Sequence, residues 1–464
     1  MTAHSPRHPW VFDVTAFGAV GDGTAKDTKA INKAIEACAQ AGGGTVHFPP
    51  GRYLTGSIIL KSNVTLHIGA GATVVGSPDR EDYPIVSDDY FYGAYRAYHT
   101  ALVSGTGLEK VTVTGKGVID GQGVNWWPLK KLQSKWAKYV EAGINSPPAG
   151  EEEAFARIRH AGTTKRPNLM EFIRCRSVRI EGVTLINSAS WTLHPWYCEN
   201  VTIDGITINN PPDSPNTDGI NPESCRHVHI SNCHLDVGDD CIALKAGTED
   251  GSHPEAVPCE NITITNCTMI HGHGGVVIGS EMTGSVRNVV ISNCVFVGTD
   301  RGIRIKSRRG RGGYVENVRV QGIVMDGVSC PIVLNKFYAS DLDGPVEPVS
   351  CGTPVFRNIA FSAITARDAS VAGFLLGLPE MPIQHVSFSD TYLEATGDRS
   401  SRPAMIRGSI RALETGDFHG LFCKNARHVT CRGVEVATRK GGPLLTEDVD
   451  EAHFTGLVHR HLDR

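Results

Sequence analysis

The sequence predicts an all-β chain wound as a solenoid of short parallel strands, and three observations carry that prediction. A phrase of the form Asn/His-Val/Ile-x-Val/Ile-x-Asn/Gly/Ser recurs, with its first aliphatic residue at Val111, Val178, Val201, Val228, Ile262, Val289, Val318, Ile359, Val386 and Val429. From Val178 to Val318 the steps are 23, 27, 34, 27 and 29 residues. That period suits one coil of a solenoid, and Val/Ile/Thr alternation with period two excludes a helical repeat. A second strand follows each phrase at a fixed offset: 14 residues after Val228, Ile262, Val289 and Val318 stand Ile242, Val276, Ile303 and Ile332. Finally, 51 Gly with only 7% aromatic residues suit a narrow core with many tight turns.

Taken in chain order, Phe12 to Gly76 differs from the rest. Asp27-Thr28 opens a predicted helix through Ala30, Ile31, Ala34, Ile35 and Cys38, closed by Gly42-Gly43-Gly44. An amphipathic helix over the open edge of the first coil is the expected cap. Strands are predicted at Thr45 to Phe48, Ser57 to Leu60 and Val64 to Ile68. From Val124 to Arg166 the repeat is interrupted: the step from Val111 to Val178 is 67 residues, and the extra length carries Trp126, Trp127, Trp136 and a helical stretch from Lys130 to Glu141. Such an insertion either walls a binding groove or packs on the coils. The cluster Tyr90, Phe91, Tyr92, Tyr95 and Tyr98 offers the same two alternatives. With no low-complexity linker along the repeat, residues 1–464 are expected to form a single domain.

Stacking the offset strands places Ile242, Val276, Ile303 and Ile332 in one core file and Leu244, Ile278, Ile305 and Leu334 in the next. Asp239, Ala243, Lys245, His273, Val277, Arg304 and Lys306 then have outward parity, with Asp239 and His273 at equivalent points of neighbouring coils. Asp218 and Asp240 occupy equivalent positions on the inward parity. They lie beside Gly219 and Gly238, where a bend is needed to turn them outward.

A formal net charge of −4 gives no general attraction to nucleic acid or an anionic membrane, and no stretch is long and apolar enough to span one. Thirteen cysteines, with Cys233, Cys267 and Cys294 at one register, read as buried thiols rather than disulfides. Thiols and a first segment without an apolar run, Met1 to Phe12, lead to the expectation of a cytoplasmic protein, or a secreted or periplasmic one if a leader has been removed.

Within 91 residues the chain sets Asn216-Thr217-Asp218, Gly238-Asp239-Asp240, Gly272-His273-Gly274 and Arg304-Ile305-Lys306. Glycosidic cleavage needs one protonated carboxyl and a second carboxylate acting on water or on the anomeric carbon, and clustered carboxylates raise one another's proton affinity. The same acids could instead hold calcium or decorate turns. A histidine between glycines, in register with Asp239, can hold that acid in place. Arg304 and Lys306 can grip a substrate carboxylate. Arg304, Lys306, Arg308, Arg309 and Arg311 put five cations in eight residues, and the acids beside them disfavour phosphates. A uronic acid polymer fits both halves.

These four motifs, in this order and spacing, resemble those of glycoside hydrolase family 28, the polygalacturonases, and the likeness covers most of the chain, Phe12 to Gly76 being similar to the N-terminal cap of bacterial and plant members. The resemblance implies a right-handed parallel β-helix and inverting hydrolysis of galacturonan. It makes Asp239 the general acid, Asp218 and Asp240 the water-activating pair, His273 the support of the acid, and Arg304 with Lys306 the carboxylate clamp. Asn216 is implied as a substrate-binding residue, as is a tyrosine one coil on, matched by Tyr338 with Tyr314 as the alternative. No metal or cofactor is implied. The intact His and Arg-Ile-Lys motifs favour galacturonate over the rhamnogalacturonan branch. The long insertion and the lack of a disulfide pattern favour exo action on pectin oligosaccharides over endo action. Two other classes stay open, a calcium-dependent β-helix lyase and a non-catalytic β-helix that binds acidic glycans; the first leaves His273 without a task, the second leaves both Asp239 and Asp240 without one.

Overall fold

The computed structural model describes residues 10–92, 95–141, 150, 164–247, 256–340, 344–397 and 418–463. It is a parallel β-helix, and by the handedness rule for parallel strand crossovers a right-handed one. Two compact units divide the chain: Met1–His194 with Ile206–Thr217, and Pro195–Gly205 with Asp218–Arg464.

In the first unit helix α1 spans Thr28–Gln40 and buries Ile31, Ala34, Ile35 and Cys38, the apolar face that the spacing predicts. Asp27 does not cap it through its side chain; its carboxylate accepts from the amides of Val20 and Gly21 at 2.7 and 3.1 Å and ties the preceding loop instead. Gly44–Phe48, Val64–Ile68, Glu109–Gly115 and Arg176–Glu181 stack in parallel. Val111 pairs directly with Val178, so the 67-residue step is a single coil carrying an insertion. A second file runs through Gly51–Thr55, Ala72–Gly76, Val118–Asp120, Thr184–Ile186 and Thr207–Asn209. The sequence reading missed the strands of this file, three of which are only three residues long, too short for alternation to register. The predicted strand Ser57 to Leu60 shrinks to Ile58–Ile59, paired with Val103–Thr106.

The insertion begins with helix α2, Trp127–Glu141. Trp126 is buried edge-on against Tyr83 with ring centroids 5.6 Å apart, and Trp127 donates its indole N–H to the Ser188 carbonyl at 3.0 Å. Both are packing residues. The Trp136 side chain and residues 142–149 and 151–163 lie outside the described residues, as do the side chains of Tyr90, Phe91, Tyr92 and Tyr95; Tyr98 is buried.

In the second unit the repeat residues fall into one unbroken register, Val201, Val228, Ile262, Val289, Val318, Ile359, Val386 and Val429, all buried. The residue before each is Asn or His because the backbone there is left-handed, with φ from 54° at Asn358 to 59° at Asn261. The same corner lets the asparagines bond up the stack: Asn288 to Asn261 at 3.0 Å, Asn317 to Asn288 at 2.9 Å and Asn358 to Asn317 at 2.6 Å. Asn288→Ala is expected to cost about 1–2 kcal/mol, from left-handed strain plus two lost bonds, and to lower the urea midpoint without changing its slope. Past Val429 the repeat continues where no phrase announces it, in Leu444–Asp450 and His453–His461. Those strands are largely exposed, and without burial the alternation fades. All 13 cysteines are thiols; Cys233, Cys267 and Cys294 each donate to the carbonyl two residues back.

Candidate active site

The site stands on the second unit's short strands Asp240–Leu244, Gly274–Ile278, Arg301–Lys306 and Cys330–Asn335, paired in parallel. Ile242, Val276, Ile303 and Ile332 stack as the 14-residue offset predicts, and Leu244, Ile278, Ile305 and Leu334 form the next file. Outward parity does not mean exposure, however. Asp239, His273 and Arg304 are partly exposed, whereas Ala243, Val277, Lys245 and Lys306 are buried, because the outer side of these strands is itself packed with charged side chains.

Asp239 and His273 meet as the register requires. The His273 amide donates to the Asp239 carbonyl at 2.9 Å, and His273 Nδ1 lies 3.0 Å from Asp239 Oδ1. Gly272 makes this approach possible: its φ is +74°, and a Cβ there would stand 2.5 Å from the Asp239 carbonyl oxygen. Gly272→Ala is therefore expected to push the imidazole off the carboxylate, lowering turnover and costing about 1–3 kcal/mol of stability, read by kinetics and thermal melts in parallel.

The inward parity of Asp218 and Asp240 is overturned, as a bend at Gly219 and Gly238 requires. Ile220 pairs with Ile242, Gly219 donates to the Asp240 carbonyl at 3.0 Å, and the carboxylates of Asp218, Asp239 and Asp240 offer oxygens within 4.8 Å of one another. Asp240 Oδ2 accepts from Lys306 Nζ at 2.9 Å, with Arg304 Nη1 3.8 Å from Oδ1. Asp218 accepts from Asn221 Nδ2 at 3.1 Å. Three acids this close could hold a divalent cation, but the Lys306 ammonium already supplies positive charge at that point.

Tyr338 belongs to this group, its ring centroid 5.4 Å from Lys306 Nζ and 5.7 Å from Arg304 Cζ. Tyr314, the alternative, opens the strand Tyr314–Asp326 beneath Arg357 and is exposed. Asn216 belongs to the first unit, where its side-chain oxygen accepts from Arg166 Nη2 at 3.0 Å. The cation run is no open patch: Arg309 makes a two-bond pair with Glu380 at 2.6 and 2.9 Å, and Arg311 pairs with Glu281 at 3.0 Å. Sequence reasoning missed Glu281, which no motif marks, and gave Lys245 no task, although the two pair at 2.8 Å and the charge of Lys245 acts on the acids.

Asp218 and Asp239 titrate as a pair. Burial, then the charge of Asp239, pushes Asp218 up to about 8. Burial would raise Asp239 too, but the charge and hydrogen bond of His273 outweigh it and hold Asp239 below the usual range. Burial lowers the proton affinity of His273, yet Asp239, Asp240 and Asp300 together raise it. Without substrate Asp218 therefore holds a proton far more firmly than Asp239 does, and the imidazole's hold on its own proton is strengthened.

The sequence profile of glycosyl hydrolases family 28 matches residues 153–408, and that of "Rhamnogalacturonase A/epimerase, pectate lyase-like" matches residues 11–130. A probable polygalacturonase of Vitis vinifera is 33% identical over 83% of this chain and 75% of its own. An exo-poly-alpha-D-galacturonosidase of Dickeya chrysanthemi is 27% identical over 92% of this chain and 73% of its own. The crystal structure of a hyperthermoactive exopolygalacturonase from Thermotoga maritima superposes with a TM-score of 0.72 at 35% identity, covering 83% of this chain and 87% of that one.

Proposed function

The chain belongs to glycosyl hydrolases family 28, and from that premise we propose that it is an exo-acting polygalacturonase releasing galacturonate from galacturonan oligosaccharides. One observation carries the reading: three carboxylates packed together beside Lys306 and Arg304, acid chemistry next to a clamp for an acidic sugar. Its exo character is supported by the Dickeya and Thermotoga relatives.

In this reading Arg304 and Lys306 take the galacturonate carboxylate while the Tyr338 ring flanks them. Asp239 gives its proton to the glycosidic oxygen as the bond from that oxygen to the anomeric carbon breaks. Asp218 and Asp240 orient a water and accept its proton as its oxygen bonds to the anomeric carbon. Asp239 must then carry the proton that Asp218 holds more firmly in the ligand-free pair. A substrate carboxylate on Lys306 supplies the change, because it offsets a cation that keeps Asp239 ionised.

The pH dependence follows. Because the ligand-free pair holds its proton on a group raised to about 8, kcat/KM is expected to fall as pH rises through that region and the proton is lost. A profile flat to pH 10 would contradict it.

Incubation with polygalacturonate and with trigalacturonate, with and without chelator, tests the reaction class. New reducing ends are expected in both conditions with no unsaturated product; a calcium-dependent rise in ultraviolet absorbance would establish a lyase. Inversion rests on the family resemblance, since nearest oxygens within 4.8 Å are tighter than the roughly 6.5–9.5 Å between carboxyls of inverting enzymes. Time-resolved NMR is expected to show β-galacturonate as the first product. An α-anomer refutes inversion, and a ladder of intermediate oligomers refutes exo action. A cytoplasmic location is proposed too, supported by 13 thiols of which only Cys351 is exposed.

A further inference from the structure

Lys245 directly follows the strand Asp240–Leu244 and is almost wholly buried, yet no step of the proposed reaction uses it. Its ammonium lies 2.8 Å from Glu281 Oε2, and Glu281 Oε1 lies 3.0 Å from Arg311 Nη1, which also donates to the Ser280 hydroxyl. Backbone bonds lock this clamp to the site strand: Gly279 N to Leu244 O at 2.9 Å, Ala246 N to Glu281 O at 2.9 Å and Gly284 N to Ala246 O at 2.8 Å. Burial opposes both charges. The Lys245 ammonium is nonetheless favoured by Glu281 and Asp218, and the Glu281 carboxylate by Lys245 and Arg311.

Lys245 has the outward parity of Asp239, and its charge is felt by the acids. It interacts with Asp218, Asp240 and Asp239, and its register neighbour is Glu223. Around the acids themselves stand His273, with Asp300 beyond it, and Arg301, Arg304 and Lys306 from the next coil. The cations fall into two sets. Arg304 is partly exposed and Lys306 shares the Tyr338 face with it, so an incoming carboxylate competes for both just when Asp240 must stay ionised. Lys245 is held from behind by Glu281 and cannot swing toward that carboxylate without breaking a buried pair.

We infer that Lys245, clamped by Glu281 and Arg311, is a positioning residue that gives Asp218 and Asp240 a standing counter-charge that bound substrate cannot draw away. The inference rests on Asp218 and Asp240 being the water-activating pair. Its signature is a pair of opposite pH shifts. Lys245→Met removes a cation, strengthens proton binding by the acids, and is expected to move both limbs of the kcat/KM profile upward by about one pH unit. Glu281→Gln leaves the charges of Lys245 and Arg311 unneutralised and moves both limbs downward. Lys245→Arg restores the wild-type limbs. In all three KM at the optimum changes by less than about twofold, whereas Lys306→Ala raises it.

Profiles of the full chain on trigalacturonate, with circular dichroism to establish folding, decide the matter. Unmoved limbs, shifts in the same direction, or a KM increase in Lys245→Met as large as that of Lys306→Ala would overturn the inference. Should Lys245→Met not fold, the downward shift of Glu281→Gln decides alone, and its absence overturns the inference. Asp218→Asn and Asp240→Asn keep the two levels apart: near-normal turnover in both would overturn the water-activation assignment itself, whatever the Lys245 variants do.

Discussion

Asp239→Asn is expected to lower kcat by about 10²-fold or more while leaving affinity for a galacturonate oligosaccharide nearly intact. An amide keeps the shape and still accepts from His273, whose ring nitrogen lies 3.0 Å from the carboxylate, but it has no proton to deliver to the leaving oxygen. Single-turnover kinetics with calorimetric binding would separate the two effects. Burial and the charge of Asp239 raise the proton affinity of Asp218 before substrate arrives, so Asp218→Asn is the essential comparison. If Asp239→Asn kept near-normal turnover and Asp218→Asn did not, the proton donor would be Asp218.

Lys306→Ala should act on stability and binding together. Its ammonium is 2.9 Å from Asp240, with side chains only 8% and 3% exposed, so removal strands a buried carboxylate. Breaking such a pair typically costs 3–5 kcal/mol; about 3 is expected here, because Arg304 remains 3.8 Å from the other oxygen. KM should rise and discrimination between galacturonate and its methyl ester should fall, since the lost group holds the carboxylate that distinguishes them. Arg304→Ala, which strands no such partner, should show the binding effect with a smaller loss of stability. Urea melts alongside kinetics on free and esterified substrate would measure both. Unchanged ester preference would place the substrate carboxylate elsewhere.

The coil was legible because its constraints are local. An Asn or His in the left-handed corner, followed by inward-facing aliphatic residues two apart, repeats wherever the backbone repeats, and so the register from Val201 to Val429 could be counted. The terminal coil could not, since Leu444–Asp450 and His453–His461 bury little and alternation is imposed only by burial. Trp126 and Trp127 show the opposite limit. Their composition fitted a groove wall as well as packing, and only the place of Tyr83 and the Ser188 carbonyl decided for packing.

By itself, then, the sequence determined the coil, its register, the family, and which of its short motifs meet, because each depends on spacing along the chain and stacked strands turn equal spacing into adjacency. Tertiary structure alone decided the rest. The bend at Gly219 and Gly238 carries Asp218 and Asp240 to the face that parity denied them. Tyr338 rather than Tyr314 stands over the cations, and Glu281, in no motif at all, clamps Lys245 behind the acids. The physical reason is the same in each case. Which buried charge pairs with which, and where a proton then rests, depends on distances of a few ångströms between side chains from different coils, and no spacing along one chain encodes those distances.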